Sequence, residues 1–514
     1  MQVDRSYTFL ALIMCGLLAC AVLLPVPASA MDDLAKKAGF EKPLKMSLAE
    51  CVALAVRQNV SIETAYIDRV LQKYDLETDT VFRYVPMVNI DGTAKTAETI
   101  VTTETTRDDE LSGTATIKQN IPTGGNFQFT YTKSQDKDTD SGSSTMKETI
   151  RTDSWAVTFT QPLLKEAGTD YDLSFVRQAK LTEQGNIVNL KSTVIDTVTQ
   201  AISYYRTLLE AKHSMQISQE SLDIAQKSLD NAKIEVQYGR LASMDLIQYE
   251  SSVADSELSL EQARNDYINA RLDLAKHLNL DKKTLVEPSE DINVTETQLD
   301  EAKSLNLAYA HRPEYLTQKL SLEGYEYDLL RASRDTLPEL DLTANYGETD
   351  TSTTNQPKSK EEDWSVQLEL STPLFGSDRR ALTSSELSAR STLRVAQIEL
   401  QKMKDDIASD VADSIRDLTV KAKSVKLAVR ARELAEKKLQ VEEEKRKAGR
   451  SSAFQIVTFQ SDLSNAKNSE LSAKIQYLNA LNTFDQYIGT TLSTWQIDFK
   501  NEREAAEKEL AKVK

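Results

Sequence analysis

From Pro162 to Pro288 the chain contains no proline, and about seventy residues between Thr169 and Tyr238 are compatible with one helix. At 1.5 Å per residue such a helix is roughly 105 Å long, far beyond the globular norm. From Val194 onward every seventh position within it is apolar: Val194, Ala201, Leu208, Met215, Leu222, Leu229 and Val236. A strict beat of seven describes a narrow line of contact between long helices rather than a globular core. Past Gly239 the beat resumes at Leu246, Val253, Leu260, Tyr267 and Leu274, in a second helix of roughly sixty ångströms. A glycine between two such helices supplies the positive φ that lets them meet end to end.

The hairpin is present twice. Gly239-Arg240 recurs 210 positions later as Gly449-Arg450, and the same offset carries Leu246 onto Ile456, Val253 onto Leu463, Tyr267 onto Tyr477 and Leu274 onto Phe484. Asn269-Ala270 returns as Asn479-Ala480. Matches at one fixed offset describe an internal duplication. In the second copy Val420, Leu427, Leu434 and Val441 keep the sevens.

Each copy opens in the same way. Residues 31–45 read as a polar lead-in, and Ser47 with Glu50 forms a capping box before a helical stretch that breaks near Asn59 and stops at Pro86. Leu305 to Leu337 repeats this, with its break at Arg312-Pro313 and Pro338 as the stop. Period-two segments follow. In the first copy Val88 and Ile90, then Ala115 and Ile117, alternate with polar residues, and Phe127, Phe129 and Tyr131 come after a turn at Pro122–Gly125. Trp155, Val157 and Phe159 end at Gln161-Pro162-Leu163. In the second copy Leu340 to Tyr346, and then Trp364, Val366, Leu368 and Leu370, end at Thr372-Pro373-Leu374. The first half thus holds about four strands and the second two. Three polar stretches, 102–109, 134–149 and 347–363, read as loops. Such strands suit a sandwich with one wet face, or a membrane barrel whose aromatic face meets lipid while Thr, Asn and Gln face a wet interior.

A net charge of −17 argues against a nucleic-acid partner. The three histidines, His213, His277 and His311, are scattered, so the sequence offers neither a metal centre nor a catalytic base with partners, and no cofactor is expected. Residues 1–30 read as a secretory signal peptide: Arg5, an apolar run from Phe9 to Leu24, and a small-residue cleavage site at Ala28-Ser29-Ala30. Leu17-Leu18-Ala19-Cys20 also resembles a lipobox, which would make Cys20 a lipid carrier. Cleavage after Ala30 leaves Cys51 as the sole cysteine and excludes an intrachain disulfide framework.

The doubled order of helix pair, strands, long helix, glycine joint and shorter helix resembles the TolC-like outer-membrane efflux protein family. The likeness rests on Ser47-Leu48 with Ala53 to Asn59, the Pro-Leu strand ends at 162–163 and 373–374, both Gly-Arg joints, and Tyr-x-Asn-Ala at 267–270 and 477–480. It implies a mainly α chain with β structure, in which duplicated long-helix hairpins of a homotrimer form an α-helical barrel and pooled strands form a transmembrane β-barrel. The first repeat would span 31–280, with strands at about 84–162 and a hairpin at 169–280. An acidic connector follows at 281–302, then the second repeat at 303–492, with strands at about 338–373 and a hairpin at 377–489, and a charged tail at 493–514.

The resemblance further implies a place in the outer membrane of a Gram-negative bacterium, reaching into the periplasm. There the protein would be the exit duct of a tripartite efflux or type I secretion system, docked on a periplasmic adaptor (membrane fusion) protein and an inner-membrane transporter. Gly239, Arg240, Asp245, Gly449, Arg450, Gln455 and Thr458 would lie at the periplasmic aperture and adaptor contact. Trp155, Val157, Phe159, Trp364, Val366 and Leu368 would face outer-membrane lipid. Two departures stand out. Where family channels often carry aperture carboxylates after the second joint, this chain has Gln455 and Thr458, while the first copy keeps Asp245. The extra strands around Pro122–Gly125 look like an insertion, which leaves 12 or 18 strands open for a trimer. The alternative is a periplasmic coiled-coil adaptor or scaffold without a membrane barrel.

Overall fold

The structure, a computed structural model, describes residues 44–101, 104–140, 146–239, 241–281, 284–295, 297, 299–354, 356–448 and 450–497. The signal segment with Cys20, together with Arg240, Gly449 and the tail beyond 497, lies outside these residues. The described chain divides into two compact units. One comprises residues up to 66, 190–312 and 406 onward, and the other 67–189 and 313–405. Each unit draws on both repeats.

In the first unit, α1 (Leu48–Gln58) opens on the capping box, with Ser47 Oγ accepting from the Glu50 amide and Glu50 Oε2 from the Ser47 amide at 2.8 Å. The helix stops at Asn59, whose side-chain amide donates to the His277 carbonyl at 2.8 Å while its Oδ1 accepts from the Ser61 amide and restarts the chain as α2 (Val60–Thr80), which belongs to the other unit from Ile67 onward. The first repeat's long helices here are α3 (Thr169–Gln237, 69 residues, of which 169–189 belong to the other unit) and α4 (Ser243–His277, 35 residues). The second repeat supplies α5 (Glu301–His311), α7 (Ser377–Lys447, 71 residues, of which 377–405 belong to the other unit) and α8 (Ala453–Tyr487, 35 residues). The helix α6 (Pro313–Asp335) belongs to the other unit. The duplication reaches the caps. The ends of α8 fall 210 positions after those of α4, and each helix closes on a left-handed residue, Asn279 (φ 52°) and Gly489 (φ 71°).

Two short strands lie where only irregular chain was expected. Leu44–Met46 (β1), within the supposed lead-in, pairs in parallel with Val286–Pro288 (β6), within the supposed acidic connector. Three residues are too few to show alternation, so the sequence hides them. What holds them is tertiary. Leu44, Met46 and Val286 are buried with Cys51, Ala55, Ala201, Leu208 and Leu274, and Tyr205 donates its hydroxyl to the Met46 carbonyl at 2.9 Å. A second apolar cluster joins Val52, Val56 and Ile62 to Val194, Ile195, Val198, Ile202 and Leu492, with Trp495 against it.

Helix α7 carries two apolar lines. Val411, Leu418, Val425 and Leu439 are buried within the protomer, whereas Val420, Leu427, Leu434 and Val441 are each at least half exposed. Two residues separate the lines, about 200° around a helix, so they point to nearly opposite sides.

The second unit is built on one antiparallel sheet in the order β2-β3-β4-β5-β7-β8. Its strands are β2 (Met87–Val101), β3 (Glu104–Asn120), β4 (Asn126–Asp140), β5 (Met146–Pro162), β7 (Glu339–Thr353) and β8 (Ser359–Ser371). The polar stretches expected to be loops are largely strand: Arg107 pairs with Glu98, Lys137 with Asp109, and Thr351 with Ser359. Threonine-rich polar segments keep to the extended form once a neighbouring ladder takes up their backbone groups, and apolar alternation is not needed for that. α1 and α2 recur as α5 and α6 at an offset of 253, but the hairpins recur at 210. The first repeat is therefore 43 residues longer, and the excess lies between β2 and β5, around the turn at Gly124 (φ 87°).

Candidate functional site

Continuous cross-strand rows define the two faces of the sheet. Val88 lies opposite Ile117, which faces Phe129, then Val157, Tyr346 and Trp364. Residues two positions along each strand share that face. It therefore also carries Ile90, Tyr131, Trp155, Phe127, Phe159, Leu342, Val366, Leu368 and Leu370. Phe127 and Phe159 pack at 4.6 Å between ring centroids, and Trp155 and Tyr346 at 5.6 Å. All six residues expected to meet lipid sit on this one face, on strands β5 and β8, with β7 between them. Much of the face is uncovered: Ile90 is 82% exposed, Trp364 76%, and Val366, Leu368 and Leu370 each more than 60%. An apolar surface this continuous marks an interaction with lipid or protein.

The opposite face is polar and acidic. Thr158 donates to Asn345 Oδ1 at 2.9 Å, and the Thr114 and Thr132 hydroxyls meet at 3.2 Å. Asp91, Asp108, Glu110, Asp136, Asp138, Glu148, Glu339, Asp341, Glu361, Asp363 and Glu369 share it, with Lys95 and Lys118 as the opposing charges among the described strand residues. The strand lysines and arginines otherwise lie on the apolar side, beyond its aromatic residues, where Lys133 pairs with Asp153 at 2.9 Å and Lys360 with Glu348 at 2.8 Å. The sheet also has two unpaired edges, β2 and β8.

The first unit contains the helix joints. Gly239 has φ 68°, as the hairpin requires, and Asp245 is exposed in the first turn of α4. At the second joint the Arg450 amide donates to the Lys445 carbonyl at 2.9 Å. Ser452 caps α8, and Gln455 closes that capping box, its Oε1 accepting from the Ser452 amide at 3.3 Å. The Thr458 hydroxyl donates to the Phe454 carbonyl at 2.8 Å. Gln455 and Thr458 are thus engaged by their own helix, and Asp245 is the carboxylate presented. Tyr238, Met244, Ile247 and Phe454 add exposed apolar surface near the joints.

Three residues here were not legible from the sequence. Arg446 at the end of α7 meets Glu235 at the end of α3 at 3.1 Å, and its guanidinium lies 5.3 Å from the ring centroid of Tyr249 on α4. Tyr249 is buried with Leu229, Ala232, Val253 and Ala453, and burial, ahead of nearby charges, pushes its phenol above the ordinary value. Glu235 and Arg446 stand 211 positions apart, so no local spacing reveals the pair. The duplication holds one hint: Phe459, matched to Tyr249, also carries a cation, with Lys438 Nζ 3.7 Å from its centroid.

Comparison with known proteins bears on these surfaces. Residues 304–490 match the family model described as Outer membrane efflux protein. No curated protein sequence matches the chain. Among solved structures it is similar to the Campylobacter jejuni CmeC outer membrane channel, at a TM-score of 0.67 and 14% identity over 90% of this chain and 89% of that one. It is similar also to the outer-membrane channel OprN (TM-score 0.66, 14% identity, 86% and 90% covered). The outer membrane protein VceC from Vibrio cholerae gives a TM-score of 0.64 and 11% identity, with 86% and 96% covered. The fold is TolC-like. The resemblance carried by the doubled joints and strand ends therefore holds, in the second repeat by the family match and across both repeats by the fold. Among the described residues no helix is both long and apolar enough to cross a membrane.

Proposed function

We propose that three copies of this chain assemble into an outer-membrane exit duct of a tripartite efflux or type I secretion system, in which the sheets close a β-barrel and the helical hairpins line a periplasmic tube. The observation that carries this reading is the sheet itself, apolar and uncovered on one face, polar on the other, and open at both edges. In water such a face is an aggregation hazard, and in lipid unpaired edges are very costly, so the sheet needs both lipid and further copies. The exposed line Val420, Leu427, Leu434 and Val441 asks for a neighbouring helix in the same way.

In this duct Trp155, Val157, Phe159, Trp364, Val366 and Leu368 meet lipid, and the carboxylate-rich face lines the lumen, where it favours cations over anions. Gly239, Asp245, Arg450, Gln455 and Thr458 border the aperture, together with Arg240 and Gly449. The apolar residues beside the joints are the surface for a periplasmic adaptor, which connects the duct to an inner-membrane transporter. The test is planar-bilayer conductance of the purified protein, with its mass in mild detergent measured alongside. Steady, cation-preferring pores from a trimer-sized particle are the expected result. A water-soluble particle without conductance would overturn the reading and favour a periplasmic scaffold.

A further inference from the structure

The two open edges of the sheet are complementary to each other. Six strands in strict alternation leave β2 and β8 running in opposite directions, so the β8 edge of one copy can take the β2 edge of an identical copy as an antiparallel neighbour. We propose that they pair in one register, with Val88 opposite Leu370 and Ile90 opposite Leu368 of the adjoining copy, so that three copies close a wall of 18 strands. This rests on the channel reading above and adds the seam that closes it.

Three independent constraints select the register. The first is facing: Val88 and Ile90 on β2, and Trp364 to Leu370 on β8, all belong to the apolar face, and a slip by one residue would turn one set inward. The second is charge. In the proposed register Lys95 falls opposite Asp363 and Glu98 opposite Lys360, with no like charges facing each other. Sliding by two residues in one direction sets Asp91 against Glu369 and Glu98 against Glu362. Sliding by four in the other sets Asp91 against Asp363. Directly opposed like charges destabilise a strand pair; the protomer's own ladders already carry several, Asp108 opposite Asp138 and Asp341 opposite Glu369 among them, so a seam register that adds none is preferred.

The third constraint is geometric. Within a protomer the row from Val88 to Trp364 crosses all six strands without an offset. In the proposed register Trp364 meets Ala94 of the next copy, so the row returns six residues further along β2. Six residues at about 3.4 Å against six strand spacings of about 4.8 Å give a strand tilt of about 35°, within the range found in closed barrels. The other same-facing registers without opposed like charges fall outside that range: sliding two residues the other way gives only about 25°, and sliding four in the first direction, which sets Asp91 against Ser371 and Glu98 against Trp364, gives about 50°.

The test is disulfide trapping in the full-length protein, purified in detergent. Thr93→Cys with Ser365→Cys places two thiols directly opposite across the seam, at about 4.5–5.5 Å between Cα atoms and within bonding reach. Thr93→Cys with Ser359→Cys is the control, matching the register without offset and set about 20 Å away in the proposed one. Mild oxidation is expected to convert the first pair into covalent dimer and trimer at the expense of monomer, and to leave the second unlinked. As a second measurement, Lys95→Asp should lower the temperature at which the trimer dissociates, and adding Asp363→Lys should restore it. Linkage of the control pair, or a conducting trimer in which neither pair links, would overturn the register and leave the channel standing. A protein that forms no trimer would overturn the channel reading, and the seam with it.

Discussion

Gly489→Ala isolates the contact that closes the second repeat. Gly489 has φ 71°, and a Cβ there would stand 2.6 Å from the His311 carbonyl carbon, 2.7 Å from its oxygen and 2.9 Å from the Arg312 nitrogen. These are backbone atoms, so no rotamer change relieves the clash. The break they belong to is pinned as well, since Arg312 meets Asp410 at 3.0 Å and lies over Tyr487 at 5.5 Å. Two costs combine. The left-handed conformation costs an L residue about 1–2 kcal/mol, and forcing a methyl group against packed atoms adds about 1–3 kcal/mol. Gly239→Ala is the matched reference, because Gly239 has φ 68° with nothing within 4 Å of a Cβ and so incurs only the first cost. Urea unfolding of both variants in detergent, followed by helical circular dichroism, should show Gly489→Ala less stable than Gly239→Ala by about 1–3 kcal/mol. Equal losses would falsify the close approach. The first repeat accepts Asn279 at the matching position with φ 52°, so its helix end is expected to tolerate a side chain there.

Three further outcomes are expected. Leu427→Asp with Leu434→Asp, on the exposed line of α7, should weaken the proposed trimer while leaving the protomer folded, each leucine forfeiting about 1 kcal/mol of burial against a neighbour; sedimentation in detergent reads the shift to monomer. Leu418→Ala, on the buried line, should instead destabilise the protomer by about 2–5 kcal/mol, seen in the same unfolding assay. Burial holds the His213 and His277 imidazoles below their ordinary value, although the Thr197 carbonyl 3.1 Å from His277 Nε2 partly offsets this for His277. The unfolded chain therefore takes up these protons first, and the stability they contribute is full above about pH 6.5 and declines as pH falls below it. The melting temperature should drop between pH 7.5 and 5.5, and a steady value in that interval would contradict the buried neutral form.

Periodicity made the long helices, their joints and the strand faces readable, because a beat of seven or two repeats many times over each element. The breaks at Asn59 and Arg312-Pro313 were readable from local chemistry. What periodicity cannot say is which neighbour covers an apolar line. On α7 the line picked out by sevens, Val420 to Val441, is the exposed one, while Val411, Leu418, Val425 and Leu439 hold the protomer together. Strands β1 and β6 escaped notice because they are short and fixed by distant partners, and the polar strand ends because their ladders need no apolar residues. At the joints, the sequence offers Gln455 as a candidate aperture residue, and its side-chain amide oxygen also closes a helix cap. The Arg446, Glu235 and Tyr249 contact needs three helices to be brought together before it exists.

The 43 additional residues between β2 and β5 amount to one down-and-up excursion of the chain. A segment that crosses a bilayer must cross back before the next helix can begin on the side it left, so a wall of this kind can be enlarged only by pairs of strands. Because every copy carries the same pair, the proposed assembly of three would gain strands in sixes. In the proposed duct each addition would widen the β portion and leave the number of helices around the tube unchanged. In such a duct, bore at the membrane and bore along the tube would be separable properties, and a loop between two strands is where one could be altered without disturbing the other.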